Sequence, residues 1–258
     1  IGFGDITTDC LVDRDEIITA KMNTRQDGIL CGIDVAAEVF KVISPEIKFE
    51  KYFSDGDKIS KGDTLATITG SARAILIGER TALNYIQRLS GIATETKKYQ
   101  EAIGDNKARI TDTRKTTPNF RMFEKYAVSV GGARLHRFNL SDCVMIKDNH
   151  IRFAGSITNA VNKIRENLSH THKIEVECDT IEQVNEAVEV KADIIMLDNM
   201  PCDLMKKCVE IIADKALIEA SGNVTVDTIG EIAKTGVDVI SSSAIVAKAK
   251  TLDIALDM

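Results

Sequence analysis

A regular succession of short apolar runs fills the second half of this 258-residue chain, and amphipathic stretches with helical spacing separate them. Such alternation predicts parallel β-strands joined by crossover helices. The runs are Ala108–Thr111, Cys143–Ile146, Lys173–Val176, Asp193–Leu197, Ala216–Ala220 and Val237–Ile240. A polar residue stands just after each of the last four runs: Glu177, Asp198, Ser221 and Ser242. These residues are 21, 23 and 21 positions apart, so the unit of one apolar run and one amphipathic stretch repeats. The sequence therefore predicts an α/β barrel of the TIM-like class.

Chemically capable side chains follow each of the six runs. A polar residue at the end of one strand usually only starts a turn or caps the next helix. Six such sets in succession favour a functional interpretation, because the loops after the strands of an α/β barrel open on one face, where active sites form. The sets are residues 112–115, 147–149, 177, 198–199, 221–222 and 241–243.

The first third of the chain has a different pattern. Residues from about 15 to 80 alternate between turn signals, such as Asp55-Gly56-Asp57, and β-branched residues. This pattern predicts short strands of a small β-rich module. From Ile77 to about Ile103 apolar residues recur at helical spacing, which predicts a linking helix.

Composition limits the class and the compartment of the protein. The net charge of -6 argues against a general nucleic-acid binder. No apolar run approaches the roughly 18 residues of a membrane span, and the start of the chain lacks a signal-peptide layout. We therefore expect a cytoplasmic protein with no membrane association. Because the chain begins with Ile1 rather than Met, we expect an N-terminal segment to precede it. The six cysteines form no C-x-x-C pair, so we expect them to be reduced.

Basic residues cluster after the first two barrel runs. Arg114 and Lys115 follow the first run, His136 and Arg137 lie in a Leu-His-Arg-Phe stretch, and Lys147 follows the second run. The planar fork of arginine binds carboxylates in a bidentate manner, and lysine adds a mobile point charge. These residues therefore predict a ligand with more than one negative charge. The alternative is a solvated basic face.

Two acids, Glu177 and Asp198, end consecutive strands and so should lie one strand apart at the rim of the barrel. Carboxylates opposite a basic wall suit magnesium or the hydroxyl groups of a ribose, because hard cations prefer oxygen ligands. We expect the magnesium to be bound with the pyrophosphate of a substrate. The alternative is a pair of rim salt bridges with the lysines.

Two serine-rich loops follow the last strands. Ser221-Gly222-Asn223 precedes a helical run that we expect to begin at Val226, and Ser241-Ser242-Ser243 repeats the arrangement one unit later. Backbone N–H groups at such places hold phosphate, and paired loops after the last strands of an α/β barrel are a common phosphate site.

The four histidines are not equivalent. His170 and His172 lie in a polar stretch with no third ligand nearby, so we expect an exposed loop rather than a metal site. His150 is expected at the start of a helix. Only His136 is expected in the functional site.

Several motifs together resemble the quinolinate phosphoribosyltransferase family, in the family's order and from one end of the chain to the other. They are Gly4-Asp5-Ile6-Thr7-Thr8, residues 78–84, Ser90-Gly91-Ile92-Ala93-Thr94, Asp112-Thr113-Arg114-Lys115-Thr116, His136-Arg137, Ile146-Lys147-Asp148-Asn149-His150, Glu175-Val176-Glu177, Leu197-Asp198-Asn199 and Glu219-Ala220-Ser221-Gly222.

The resemblance implies an α+β sandwich domain over residues 1–82 and an open α/β barrel over residues 83–258, with the last residues packing back on the first domain. It implies a homodimer in which Arg80 of the partner subunit completes the site. The implied reaction transfers phosphoribosyl from phosphoribosyl pyrophosphate to quinolinate, with loss of carbon dioxide, and gives nicotinate mononucleotide and pyrophosphate.

The resemblance also assigns roles to residues. Lys115, Glu177 and Asp198 are implied to be catalytic and to face phosphoribosyl pyrophosphate, with Glu177 and Asp198 toward its magnesium. The residues implied to surround quinolinate are Arg114, His136, Arg137 and Lys147. Those implied to bind phosphate are Ser221, Gly222, Asn223 and Ser243. Thr113, Ser242 and Ala244 are expected among the other substrate-binding residues.

The chain departs from the family pattern in the phosphate loops. Ser243 and Asn223 stand where the family usually has Gly, and Val246-Ala247 replaces a Thr-His pair. These departures favour two alternatives beside the main hypothesis. One is a related phosphoribosyltransferase-like protein with another anionic substrate, of the type associated with molybdenum transport, although that group usually lacks the Lys-Asp-Asn-His motif. The other is a non-catalytic anion-binding protein.

Overall fold

A computed structural model describes residue 2 and residues 4–258, and the chain divides into two units. The first unit comprises residues 1–97, 122–132 and 249–258, and the second comprises residues 98–121 and 133–248. A long helix, α3 (Ala72–Ile103), covers the stretch predicted to be the linking helix. The predicted domain boundary after residue 82 lies inside this helix.

An antiparallel sheet forms the centre of the first unit, with the strand order β12-β1-β5-β3. Its strands are β1 (Ile17–Thr24), β3 (Lys48–Lys51), β5 (Thr64–Ser71) and β12 (Ile254–Asp257), and a two-stranded sheet pairs β2 (Gly28–Ile29) with β4 (Lys58–Ile59). Alternate residues of β1, Ala20, Met22 and Thr24, are buried, as the period of two along a strand requires.

The prediction of only short strands between residues 15 and 80 was wrong for one segment, which forms helix α2 (Ile33–Ile43). Ile33, Ala36 and Phe40 recur at helical spacing and are fully buried, so tertiary packing of this face stabilises a helix in a β-rich region. The carboxylate of Asp55 accepts hydrogen bonds from the N–H groups of Gly32 and Ile33, which satisfies the first turn. The unit also contains α1 (Ile6–Leu11) and most of α4 (Arg121–Val130).

Six parallel strands form the sheet of the second unit, in the order β6-β11-β10-β9-β8-β7. They are β6 (Arg109–Thr111), β7 (Val144–Ile146), β8 (Ile174–Cys178), β9 (Ile194–Asp198), β10 (Leu217–Ser221) and β11 (Val239–Ser241). Every predicted run is a strand, with ends that shift by two residues at most. No ladder joins β6 to β7 among the described residues, so the α/β barrel is open. The predicted fold class is confirmed.

Helices follow the barrel strands, and local capping explains where they begin. They are α5 (Asp148–Ala154), α6 (Ile157–Arg165), α7 (Ile181–Glu189), α8 (Cys202–Ile212), α9 (Ile229–Ala233) and α10 (Ala244–Ala247). Thr180 and Gln183 form a reciprocal capping box at the start of α7. Helix α9 begins at Ile229 rather than at Val226 as predicted, because a turn closed by the hydroxyl of Thr228 and the N–H of Thr225 precedes it.

The cysteines and the hydropathy of the helices bear on two expectations from composition. All six cysteines are described and all are free thiols, as predicted. Among the helices of the described residues, none combines the length and the apolar character that a membrane span needs.

Candidate active site

A cavity of about 750 Å³ opens at the carboxyl ends of the barrel strands in the second unit. Every barrel residue predicted for the site lines it: Thr113, Arg114, Lys115, His136, Arg137, Lys147, Glu177, Asp198, Ser221, Gly222, Asn223, Ser242, Ser243 and Ala244. Arg80 is an exposed residue of α3 in the first unit and is not among the lining residues.

The cavity carries the opposite charge from the whole chain. Five lysines and arginines line it, against the two carboxylates of Glu177 and Asp198, which leaves three net positive charges from these residues in a chain of net charge -6. A concave site with such a local excess attracts anions and holds them by charge-assisted hydrogen bonds. The predicted anionic ligand therefore has a matching site.

Arg114 and Arg137 are held differently in the cavity wall. The Nε atom of Arg114 is buried and has no hydrogen-bond partner in the part of the chain that the structure describes. Arg137 donates from Nη1 to the main-chain oxygen of Cys143 at 3.1 Å, and its Nη2 lies 3.1 Å from Sδ of Met145. Burying a guanidinium donor without a hydrogen-bond partner costs free energy. An anionic ligand that accepts a hydrogen bond from Arg114 Nε would remove this cost.

An ion pair joins two cavity-lining residues at the ends of the neighbouring strands β7 and β8. Lys147 Nζ donates to the Glu177 carboxylate, and the two side chains are 43% and 16% exposed. The rim salt bridge that the sequence left open as an alternative is therefore present for this pair. Because lysine carries one charge and can contact two anions, the pair leaves Lys147 able to bind a second carboxylate.

His136 lies between two buried carboxylates that were quoted in the motifs but not predicted as site residues. Its Nε2 atom is 3.6 Å from Glu175 and 3.4 Å from Glu219, and both glutamates are almost fully buried. On the other side of the ring, the main-chain N–H of Arg137 donates to Nδ1 at 2.8 Å. This contact requires a lone pair on Nδ1, so the ring hydrogen of the neutral form lies on Nε2.

The surroundings of His136 favour proton uptake. Burial by itself would lower the pKa of His136, but hydrogen bonds and charges from Glu175 and Glu219 raise it to about 10. Burial also raises the pKa of Glu175. The raised pKa favours a ring protonated on both nitrogens, whereas the contact with the Arg137 N–H requires an unprotonated Nδ1. Closely coupled groups titrate as a unit, so we assign the additional proton to the cluster of His136, Glu175 and Glu219 as a whole. The Nδ1 contact places this proton on the side of the ring that faces the two carboxylates.

The period of two along a strand could have identified the missed glutamates. Glu175 precedes Glu177 by two positions on β8, and Glu219 precedes Ser221 by two positions on β10, so each pair shares the face that lines the barrel. Charged residues within buried strands were the available signal. Other lining residues that the sequence did not identify are Met145, Met196, Val224, Thr225 and Lys248.

The carboxylates of Glu177 and Asp198 fit a magnesium ion by chemistry. Both are half-buried oxygen donors on neighbouring strands of the cavity wall, and hard cations with several waters need only one or two such ligands. Asp198 Oδ2 accepts a hydrogen bond from Nδ2 of Asn199 at 2.7 Å.

The two loops predicted to bind phosphate are tightly built. Gly222 has φ of +95°, and a side chain there would clash with the amide of Asn199, so the loop needs glycine at this position. Ser242 is buried; its hydroxyl donates to the Val224 main-chain oxygen at 3.2 Å and accepts from the Ala244 N–H at 3.2 Å. Ser243 stands just before the four-residue helix α10.

The remaining histidines lie where the sequence predicts. His150 is in the first turn of α5, and its Nδ1 accepts a hydrogen bond from the Lys147 N–H at 3.0 Å. His170 and His172 are exposed in the connection between α6 and β8.

Two family models together match almost the whole chain. The model described as quinolinate phosphoribosyl transferase, N-terminal domain, matches residues 5–90, and the model of the C-terminal domain matches residues 92–257.

Proteins with similar sequences occur in bacteria. A Synechocystis protein named probable nicotinate-nucleotide pyrophosphorylase (carboxylating) is 44% identical over 242 residues, which are 93% of this chain and 82% of the relative. A Bacillus subtilis protein of the same name is 41% identical, over 100% of this chain and 89% of the relative. The crystal structure of NadC from Streptococcus pyogenes is 40% identical, with a TM-score of 0.95 over 98% of this chain and 90% of that one. This chain belongs to the quinolinate phosphoribosyl transferase family.

Proposed function

We propose that this protein is a carboxylating nicotinate-nucleotide pyrophosphorylase, which joins quinolinate to phosphoribosyl pyrophosphate and releases carbon dioxide. The single observation that carries this proposal is the cavity in which a basic wall faces two carboxylates and two phosphate loops. Together these three groups match an aromatic dicarboxylate, a ribose and the phosphates of the donor. The relatives from Synechocystis and Bacillus subtilis are named probable nicotinate-nucleotide pyrophosphorylase (carboxylating), which supports the proposal.

The basic wall binds the acid substrate. Arg114 offers a buried Nε donor, and Lys147 and Arg137 also line the cavity. Two ring carboxylates held by these cations fix the plane of the pyridine ring, so that its nitrogen points at the donor. Such positioning converts an encounter of two molecules into a reaction within one complex.

The first step of the reaction needs no general acid or general base. The lone pair of the pyridine nitrogen forms a bond to the anomeric carbon, and the bond from that carbon to pyrophosphate breaks. Positive charge that develops on the ribosyl carbon is stabilised by Glu177 and Asp198, and the charge on the leaving pyrophosphate is stabilised by Lys115.

Loss of carbon dioxide follows from the charge on the ring. The bond between ring carbon 2 and its carboxylate breaks, carbon dioxide leaves, and the electron pair stays on carbon 2 beside the positive nitrogen. A proton from water then adds to carbon 2. The carboxylate on ring carbon 3 is not next to the positive nitrogen, so it stays on the ring, and the product is nicotinate mononucleotide.

Magnesium is part of the proposal. Glu177 and Asp198 would hold it together with the pyrophosphate of the donor, where a divalent cation neutralises the charge of the leaving group.

We also propose a homodimer in which Arg80 acts on the partner's cavity. Arg80 is exposed on α3, and the cavity of its own barrel does not include it among its lining residues. In a twofold dimer each subunit presents the same surface to the other, so the two Arg80 residues would complete two equivalent sites.

The test is turnover with defined substrates. Purified protein with quinolinate, phosphoribosyl pyrophosphate and magnesium should form nicotinate mononucleotide, and omission of any one component should stop its formation. Nicotinate in place of quinolinate tests the alternative of a relative with another substrate: mononucleotide formed from nicotinate but not from quinolinate would support that alternative. Binding of both substrates without any product would support an anion-binding protein.

A further inference from the structure

Three residues at the ends of β9 and β10 have left-handed backbone conformations. The φ angles are +52° at Asn199, +95° at Gly222 and +50° at Asn223. A residue other than glycine keeps such a conformation only where its surroundings fix it, and these conformations cluster at functional sites. All three residues line the cavity.

A chain of hydrogen bonds connects these residues to Asp198. Nδ2 of Asn223 donates to Oδ1 of Asn199 at 3.0 Å, and Nδ2 of Asn199 donates to Oδ2 of Asp198 at 2.7 Å. The main-chain N–H of Asn199 also donates to the Ser221 main-chain oxygen at 2.9 Å. The loop after β10 is therefore tied to the carboxylate at the end of β9 by side chains and by backbone.

The direction of this chain is fixed by chemistry. An ionised carboxylate only accepts hydrogen bonds, so the amide nitrogen of Asn199 must face Asp198. The amide oxygen of Asn199 then faces Asn223, which must present its own nitrogen. Each amide therefore has one orientation that satisfies its neighbours, and an aspartate at either position would put two acceptors face to face.

From this geometry we infer that Asn199 and Asn223 are positioning residues that orient the Asp198 carboxylate relative to the phosphate loop at residues 221–223. The phosphate end and the ribose end of the donor substrate are then recognised by one connected structure. This inference rests on the proposed function, because it takes phosphoribosyl pyrophosphate as the ligand. Asn223 acts through Asn199 and Asp198 in this view, not by contact with phosphate.

Glycine variants test the inference with little change to the backbone, because glycine adopts left-handed conformations without strain. The variants are Asn199→Gly, Asn223→Gly and the double variant, and the measurement is the Kd of phosphoribosyl pyrophosphate with magnesium by calorimetry. Each single variant should raise the Kd about five-fold, the effect of one net hydrogen bond. The double variant should also raise it only about five-fold, because both changes break the same chain.

Two controls accompany the measurement. Asn119→Gly makes the same change at an exposed left-handed residue that does not line the cavity, and it should leave the Kd unchanged. The Kd of quinolinate should be unchanged in every variant, because the hydrogen bonds from Asn223 to Asp198 lie on the side of the site that binds the donor.

Three results would overturn the inference. An unchanged Kd of phosphoribosyl pyrophosphate in Asn223→Gly would show that these hydrogen bonds do not position the Asp198 carboxylate. A rise of about 25-fold in the double variant would show independent effects, as expected if Asn223 contacts phosphate itself. Equal weakening of quinolinate would indicate a general loss of structure. Failure of the wild-type protein to bind the donor at all would overturn the proposed function as well, so the two failures are distinguishable.

Discussion

The main-chain N–H of Arg137 donates a hydrogen bond to Nδ1 of His136 across 2.8 Å, while Nε2 of the same ring faces Glu175 and Glu219. Both nitrogens of the ring are therefore used within the protein. The orientation of the imidazole and the main chain of Arg137 depend on each other. A metal ion bound by this cluster would need a lone pair on Nε2, which the Nδ1 contact excludes.

The raised pKa of His136 makes stability depend on pH. An unfolded histidine has a pKa of 6.5, and the folded value is about 10. The folded protein therefore binds more protons than the unfolded chain between these values. The stabilisation is complete below pH 6.5 and is lost as the pH rises through about 10.

Denaturant unfolding at several pH values measures this effect. We expect the free energy of unfolding of the wild-type protein to fall between pH 7 and 10, and to fall less steeply in Glu219→Gln, which lacks one of the two charges that hold the proton. Equal slopes for the two proteins would contradict the assignment. Nitrogen NMR of labelled histidine should show no titration of His136 between pH 5 and 8.

Lys115→Ala should lower kcat by about 100- to 1000-fold, because a cation that stabilises the leaving pyrophosphate acts in the transition state. The side chain is exposed at the cavity, so the thermal midpoint should not change. Lys163→Ala, at an exposed position of α6 away from the cavity, is the matched control and should keep full activity. Unaltered turnover in Lys115→Ala would remove Lys115 from the catalytic residues.

Glu177→Gln and Asp198→Asn should weaken magnesium-dependent binding of phosphoribosyl pyrophosphate by about ten- to 100-fold, as the loss of charged hydrogen bonds does. Binding of quinolinate should not weaken, because carboxylates repel a dicarboxylate, and Glu177→Gln also releases Lys147 from its ion pair. Calorimetry with each ligand separates the two effects. Similar losses for both ligands would point to collapse of the site instead.

A mixing experiment tests the role of Arg80. Arg80→Ala and Lys115→Ala are each expected to be inactive, but a mixed dimer would contain one site with an intact barrel and an intact arginine of the partner subunit. Equal amounts that exchange at random should recover about a quarter of the wild-type specific activity, because half of the dimers are mixed and each has one good site. If mass spectrometry shows exchange and no activity returns, Arg80 does not act across a dimer.

The barrel could be predicted from sequence because its strands are short, apolar and regularly spaced. Every apolar run predicted as a strand is followed by at least one residue that lines the cavity, although Asp112, Asp148 and Asn149 do not line it. Helix α2 was missed because turn signals on both sides of it resembled those of strand loops, while its buried face became apparent only against the sheet.

The interior of the site was harder to predict. Glu175 and Glu219 are carboxylates within buried strands, and only the three-dimensional approach of β8, β10 and His136 shows what they contact. The link from Asn223 to Asp198 joins the loop after β10 to the end of β9 and depends on left-handed backbone angles, which side-chain patterns do not specify.

The most direct test of the proposed reaction is the ratio of its two leaving groups. Quinolinate labelled in the carboxylate at ring carbon 2 should be incubated with the protein, phosphoribosyl pyrophosphate and magnesium, and labelled carbon dioxide and pyrophosphate should be measured over time. The reaction predicts equal amounts of both, with an equal amount of nicotinate mononucleotide. Release of pyrophosphate without carbon dioxide, or release of neither, would contradict it.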